Sequence, residues 1–180
     1  NDLALATRPV GNLLSMRFLD VADPKTVEQA LSAGASIVHY SGHADVSSAG
    51  ACLVRQAEAT SDELRWYAGD VARLLRRART RLTLLSACNS GRWPLVEPLL
   101  RAGIAALIGA YASVTSDAAG AFFEKVYASL AVGFSLDEAV TFGRQQLLAA
   151  APHFPCEWAQ FMVYMPSPDA VLFPRPATPT

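Results

Sequence analysis

Charge is scarce in this chain of 180 residues: Lys, Arg, Asp and Glu together make up only 17%. The two signs nearly cancel, with 15 Lys+Arg against 16 Asp+Glu and a net charge of -1. General nucleic-acid binding or binding to an anionic membrane needs a basic excess, so neither partner is expected. Cysteine is sparse too. Cys52, Cys88 and Cys156 are too few and too scattered for a disulfide framework, and an odd number leaves at least one thiol outside any pair. No CxxC or paired Cys/His spacing suits tetrahedral zinc, so no metal is expected. No GxGxxG or Walker-type loop occurs, which leaves a nucleotide cofactor without support. No apolar run reaches the ~18 residues of a membrane span. The chain starts at Asn1 without the charged and apolar regions of a signal peptide. The expectation is a reduced, cytoplasmic compartment and a chain that is part of something longer.

What is abundant is apolar: 52% of the residues are hydrophobic. A disordered chain cannot hold that much, and 180 residues suffice for one domain that buries roughly two thirds of its unfolded surface. Short apolar runs alternate with amphipathic stretches, the pattern of βα units around a mostly parallel sheet. Residues 14–19 read as a first strand. Asp23 and Pro24 start a helix through 26–31, and Gly34 ends it. Residues 36–40 form a buried strand leading into Ser41-Gly42-His43-Ala44-Asp45, with a polar loop to Gly50 and an edge or hairpin strand over 51–55. Residues 64–79 carry helical apolar spacing, 81–87 are the most strand-like run, and a helix follows through 97–101. A buried strand covers 104–110. Ser116 caps a helix to Leu130, and Ser135 to Glu138 form a capping box for another to about Leu148. Residues 158–164 read as the last strand. One three-layer α/β domain over 1–165 accounts for this pattern, with a Pro-rich tail over 166–180.

In open parallel sheets, reactive groups collect just past the carboxyl ends of strands. Two such loops stand out, one carrying His43 and the other Cys88, 45 residues later. Each follows a strongly apolar strand, and each has small neighbours that let a substrate backbone come close. If the strands are adjacent, the imidazole can exchange a proton with the thiol or with a leaving amine. A thiol between a strand end and a helix start also senses partial positive charge, which favours thiolate. Taken singly, either residue is more often an ordinary core or loop residue. Their pairing changes the weight. Papain-like enzymes place Cys before His, whereas caspase-like ones place His about 50 residues upstream of Cys, the order found here.

The stretch from Ile37 through His43, followed by Leu84-Leu85-Ser86-Ala87-Cys88-Asn89-Ser90-Gly91, resembles the CHAT family. These are bacterial caspase-like domains related to separase and other clan CD cysteine peptidases. The likeness continues through Leu99 to Gly109, Phe122 to Leu130, Gly133 to Val140 and Trp158 to Tyr164. It implies a caspase-like fold whose central sheet is flanked by helices, and a cysteine peptidase acting on a protein substrate. Cys88 would be the nucleophile and His43 the general base or acid. The oxyanion would face the backbone N–H groups of Gly42, Ala44 and Cys88. Relatives usually have glycine after the histidine, where this chain has Ala44; alanine keeps the donor but disfavours positive φ.

Many relatives cut after a basic residue, using an acidic side chain near the strand end that corresponds to Gly109. Candidates here are Asp45, Ser113 and Asp117, although Asp117 fits the first turn of the following helix equally well. Relatives also carry helical-repeat or sensor regions that control them, so a regulatory partner is expected. The alternative is a CHAT-like interaction module without turnover. The arginines at 73, 76, 77, 79 and 81 read as a solvated helix face and not as a phosphate grip.

Overall fold

The computed structural model describes residues 15–19, 24–47, 50–56 and 63–165. The tail over 166–180 and the Asp23 cap lie outside the described residues. The chain forms two compact units, one built on Phe18–Ser113 with the chain from Met162, the other on Val114–Phe161.

The first unit contains a four-stranded sheet of β1 (Ile37–Ser41), β5 (Leu82–Ser86), β6 (Ala106–Ala110) and β7 (Phe161–Tyr164), in the order β1-β5-β6-β7. Strand β5 lies parallel to both β1 and β6. All of β6 is buried, and so is β5 up to Ser86. That explains their unbroken apolar sequences, since a strand covered on both faces has no polar side to alternate with. Helices α1 (Pro24–Ser32), α2 (Ala68–Arg77) and α3 (Trp93–Arg101) accompany the sheet. Val71 and Leu75 of α2 pack with Leu95 and Leu99 of α3 against Leu85 and Leu107 in one core. Pro94 occupies the first turn of α3, where a missing N–H costs nothing, and the helix runs on through Pro98 to the Ala102 N–H, which donates to the Pro98 carbonyl at 3.1 Å. The α/β class and the mostly parallel sheet expected from the sequence are therefore present.

Several local expectations fail. Residues 15–19 contain no strand. The stretch past Ser41 is not a loop: His43–Ser47 forms β2, which pairs antiparallel with β3 (Gly50–Gln56), itself antiparallel to β4 (Glu63–Tyr67). The helix expected over 64–79 begins only at Ala68, because Tyr67 is still extended at φ -63°, ψ 147°. Alternation decides both cases. Ala44, Val46, Ala51, Leu53 and Trp66 join the core from this three-stranded sheet, while Asp45 and Arg65 pair at its surface. Such short half-polar strands match a turn or helix pattern about as well as a strand. The arginines of α2 do form a solvated face, with Arg73, Arg76 and Arg77 all exposed.

The second unit packs α4 (Ser116–Ala131) against α5 (Leu136–Ala149). The N-cap of α4 is Thr115 and not Ser116: the Ala118 N–H donates to its Oγ1 at 3.2 Å. The capping box of α5 is present, with the Ser135 N–H donating to Glu138 Oε2 at 2.9 Å. Phe122 stacks on Phe161 at 3.8 Å, and a Cβ on Gly143 would meet the Phe122 ring at 2.7 Å. The last strand is shorter than expected, because residues 157–159 form a 3-10 turn before Phe161.

Candidate active site

Strands β1 and β5 are parallel neighbours, and their pairing runs from Ile37↔Leu82 to Ser41↔Ser86. His43 lies two residues beyond Ser41, and Cys88 two residues beyond Ser86. The two residues named from the sequence thus each lie two positions past the paired last residues of adjacent parallel strands. His43 is exposed and Cys88 half-buried. Cys52, Cys88 and Cys156 form no disulfide.

The loop after β5 is fixed through its backbone. Asn89 adopts φ +61°, a left-handed conformation that asparagine tolerates better than most residues, and it turns the chain sharply after Cys88. The Gly91 N–H donates to the Ala110 carbonyl at 2.8 Å. The fully buried Ser90 donates from Oγ to the Leu85 carbonyl at 3.0 Å and accepts from the Ala110 N–H at 3.1 Å. Tyr164 on β7 donates from its hydroxyl to the Gly91 carbonyl. Two glycines make this possible. A Cβ on Gly91 would stand 2.8 Å from the Gly109 carbonyl oxygen, and one on Gly109 would stand 2.8 Å from the Gly91 nitrogen. The loop therefore presses main chain to main chain against β6. Further out, Arg92 donates from Nε to the Tyr111 carbonyl at 3.3 Å, with its guanidinium 5.6 Å from the centre of the Tyr111 ring.

The histidine is approached differently. The Gly42 N–H donates to the Ser86 carbonyl at 3.1 Å, extending the β1–β5 pairing by one bond. Of the three amides named as oxyanion donors, Gly42's is thus already engaged, because the chain leaves β1 only after this residue. Tyr40 folds back across Gly42, its hydroxyl 2.6 Å from the Val54 carbonyl and 3.0 Å from the His43 carbonyl. A Cβ on Gly42 would sit 2.5 Å from that hydroxyl, so any larger residue there would have to displace the Tyr40 ring. Ala44 belongs to strand β2, and the non-glycine residues with positive φ among the described residues are Arg79 and Asn89. Alanine therefore costs no backbone strain at position 44. His39, inside β1, is buried enough to pull its pKa from about 6.5 down to about 3 and is neutral.

The pocket candidates belong to different elements. Asp45 faces Arg65 across the small sheet, Oδ2 to Nη1 at 2.7 Å, with both side chains 41% exposed. The same Arg65 nitrogen lies 3.7 Å from Cys52 Sγ. Ser113 is exposed beyond the end of β6. Asp117 is in the first turn of α4, in the second unit. Sequence reasoning gave no positioning role to Tyr40, Ser90, Gly109 and Tyr164, which hold the two loops. The apolar run into Ala110 did locate Gly109, but nothing local revealed that Gly91 rests on it.

Among the described residues, no group of three or more His, Cys, Asp or Glu side chains could hold a metal ion. No helix among them is long and apolar enough to cross a membrane. No curated protein matches the chain. The model of the CHAT domain family matches residues 4–167. With nearly its whole length matched, and with a mostly parallel sheet whose adjacent strands lead into His43 and Cys88, the chain belongs to the caspase-like CHAT domain family.

Proposed function

We propose that the chain is a cysteine endopeptidase in which Cys88 attacks a peptide carbonyl and His43 manages the proton. The Cys88 sulfur forms a bond to the carbonyl carbon, and the oxyanion faces the Cys88 and Ala44 amides. The C–N bond then breaks, and the amine leaves with a proton from His43. Water, deprotonated by His43, hydrolyses the thioester and regenerates the thiol. The observation that carries this reading is the Ser41↔Ser86 register, which leads two adjacent strands into the two residues at equal distance. The pinned loop supports it, because a nucleophile must not drift from its attack position. The family likeness extends the proposal to a regulated bacterial effector that cuts a protein substrate and answers to a sensor or helical-repeat partner.

A thiol-directed peptidyl electrophile tests it. Cys88 should become labelled, Cys88→Ala should abolish both labelling and cleavage, and His43→Ala should slow labelling by roughly 100-fold or more. Because Cys88 is half-buried and in no disulfide, Cys88→Ala should melt close to the parent. Unchanged cleavage by that variant would remove the mechanism. A folded protein that labels with no reagent would instead be an interaction module of the same family.

A further inference from the structure

The order β1-β5-β6 places three different chemistries side by side at one sheet end: His43 after β1, Cys88 after β5, and Tyr111 after β6, with Arg92 from the segment before α3 bonded to it. Resting on the peptidase reading above, we infer that Arg92 selects an acidic side chain, aspartate or glutamate, on the acyl side of the bond that is cut.

The direction follows from the chemistry. His43 delivers its proton to the leaving amine, so the amine side of the substrate lies toward β1. The acyl-side residue continues past Cys88 the other way, toward β6, where Arg92 stands. This guanidinium is already oriented: its Nε donates to the Tyr111 carbonyl at 3.3 Å, and the Tyr111 ring lies 5.6 Å beneath it. Among the described residues, no ion pair or hydrogen bond engages its two terminal nitrogens. Those nitrogens present the parallel pair of donors that a carboxylate accepts. Tyr111 is 53% exposed, and so the platform is open to a ligand. Holding the side chain in advance also removes much of the ordering cost that a loose surface arginine would carry.

The carboxylates that would give the opposite preference are placed elsewhere. Asp45 is bound to Arg65 in the small sheet, and Asp117 is taken up in the first turn of α4, where the helix dipole favours it. The residues from Tyr111 to Ser113 bring no acid to the end of β6. A basic acyl-side residue would meet a like charge at Arg92, which adds to the discrimination in favour of an acid.

The test uses four peptidyl acyloxymethyl ketones that differ only in the residue beside the warhead: Asp, Glu, Ala or Arg. Labelling of Cys88 is followed by intact mass and peptide mapping. The Asp and Glu reagents should label roughly 10- to 100-fold faster than the Arg reagent. Arg92→Glu should invert that order and Arg92→Ala should flatten it, with circular dichroism and melting confirming that each variant is folded. An Arg reagent that is as fast as the Asp reagent on the wild-type chain overturns the inference and leaves the dyad standing. So does an Asp preference that survives Arg92→Glu. If iodoacetamide alkylates Cys88 while none of the four reagents labels it, the dyad reading fails and takes this inference with it.

Discussion

Cys88 and His43 follow neighbouring strands of one sheet, yet the chain holds their surroundings in different ways. The Cys88 side is fixed by main chain against main chain at Gly91 and Gly109, with the buried Ser90 hydroxyl bridging Leu85 and Ala110 and the Tyr164 hydroxyl on the Gly91 carbonyl. The His43 side leaves the sheet, starts a second sheet, and is steadied by the Tyr40 hydroxyl across Gly42. One side allows almost no adjustment, whereas the other turns on a side chain that can rotate. For the proposed chemistry this division is useful. The attacking atom needs a fixed position, and the proton carrier must serve first the leaving amine and then a water.

The sharpest way to break the comparison is Gly91→Ala. Its Cβ would meet backbone atoms that cannot rotate aside, so urea unfolding should show a loss of about 3 kcal/mol. A loss below ~1 kcal/mol would mean that the loop is not held as described. Acid should next distinguish the two strands, because β1 contains His39, whose Nε2 is buried, and β5 contains no titratable residue. Burial holds His39 neutral down to about pH 3, whereas in the unfolded chain it takes up a proton below about 6.5. The unfolded state then binds more protons, so stability falls as pH drops through that window. Between pH 7 and pH 5 the loss from this group should approach about 2 kcal/mol, and His39→Gln should remove most of that difference. An unchanged pH slope in the variant would assign the acid sensitivity elsewhere. The smallest effect is expected from Gly42→Ala. Its Cβ would contact the far end of the Tyr40 side chain, which can swing away, so the loss should be about 1 kcal/mol. Equal losses for the two alanine variants would erase the distinction between the sides.

What the sequence revealed divides along the same line. Buried parallel strands are continuous apolar runs, so β5 and β6 could be read directly; β1 was found as a strand but is half-buried where a buried one was expected, and His43 and Cys88 fell just past the ends of β1 and β5. Strands β2 and β4 were missed because each is five residues long, with one polar face, beside residues that suit turns or helices. The contacts that fix the Cys88 loop were illegible for another reason. Ser90 reaches Ala110 across 20 residues and Tyr164 reaches Gly91 across 73, so no local pattern encodes them. The orientation of Arg92 belongs with these, since Tyr111 is 19 residues away.

The two facing glycines also constrain how this chain can diverge. At Gly42 the obstacle is a side chain, so a smaller residue at position 40 opens room and the two positions can change together. At Gly91 and Gly109 the obstacle is the partner's own peptide backbone, which every amino acid shares. No second substitution restores that space. Across descendants of this sequence, positions 40 and 42 should therefore drift as a correlated pair, while 91 and 109 stay glycine for as long as the loop keeps its place on β6.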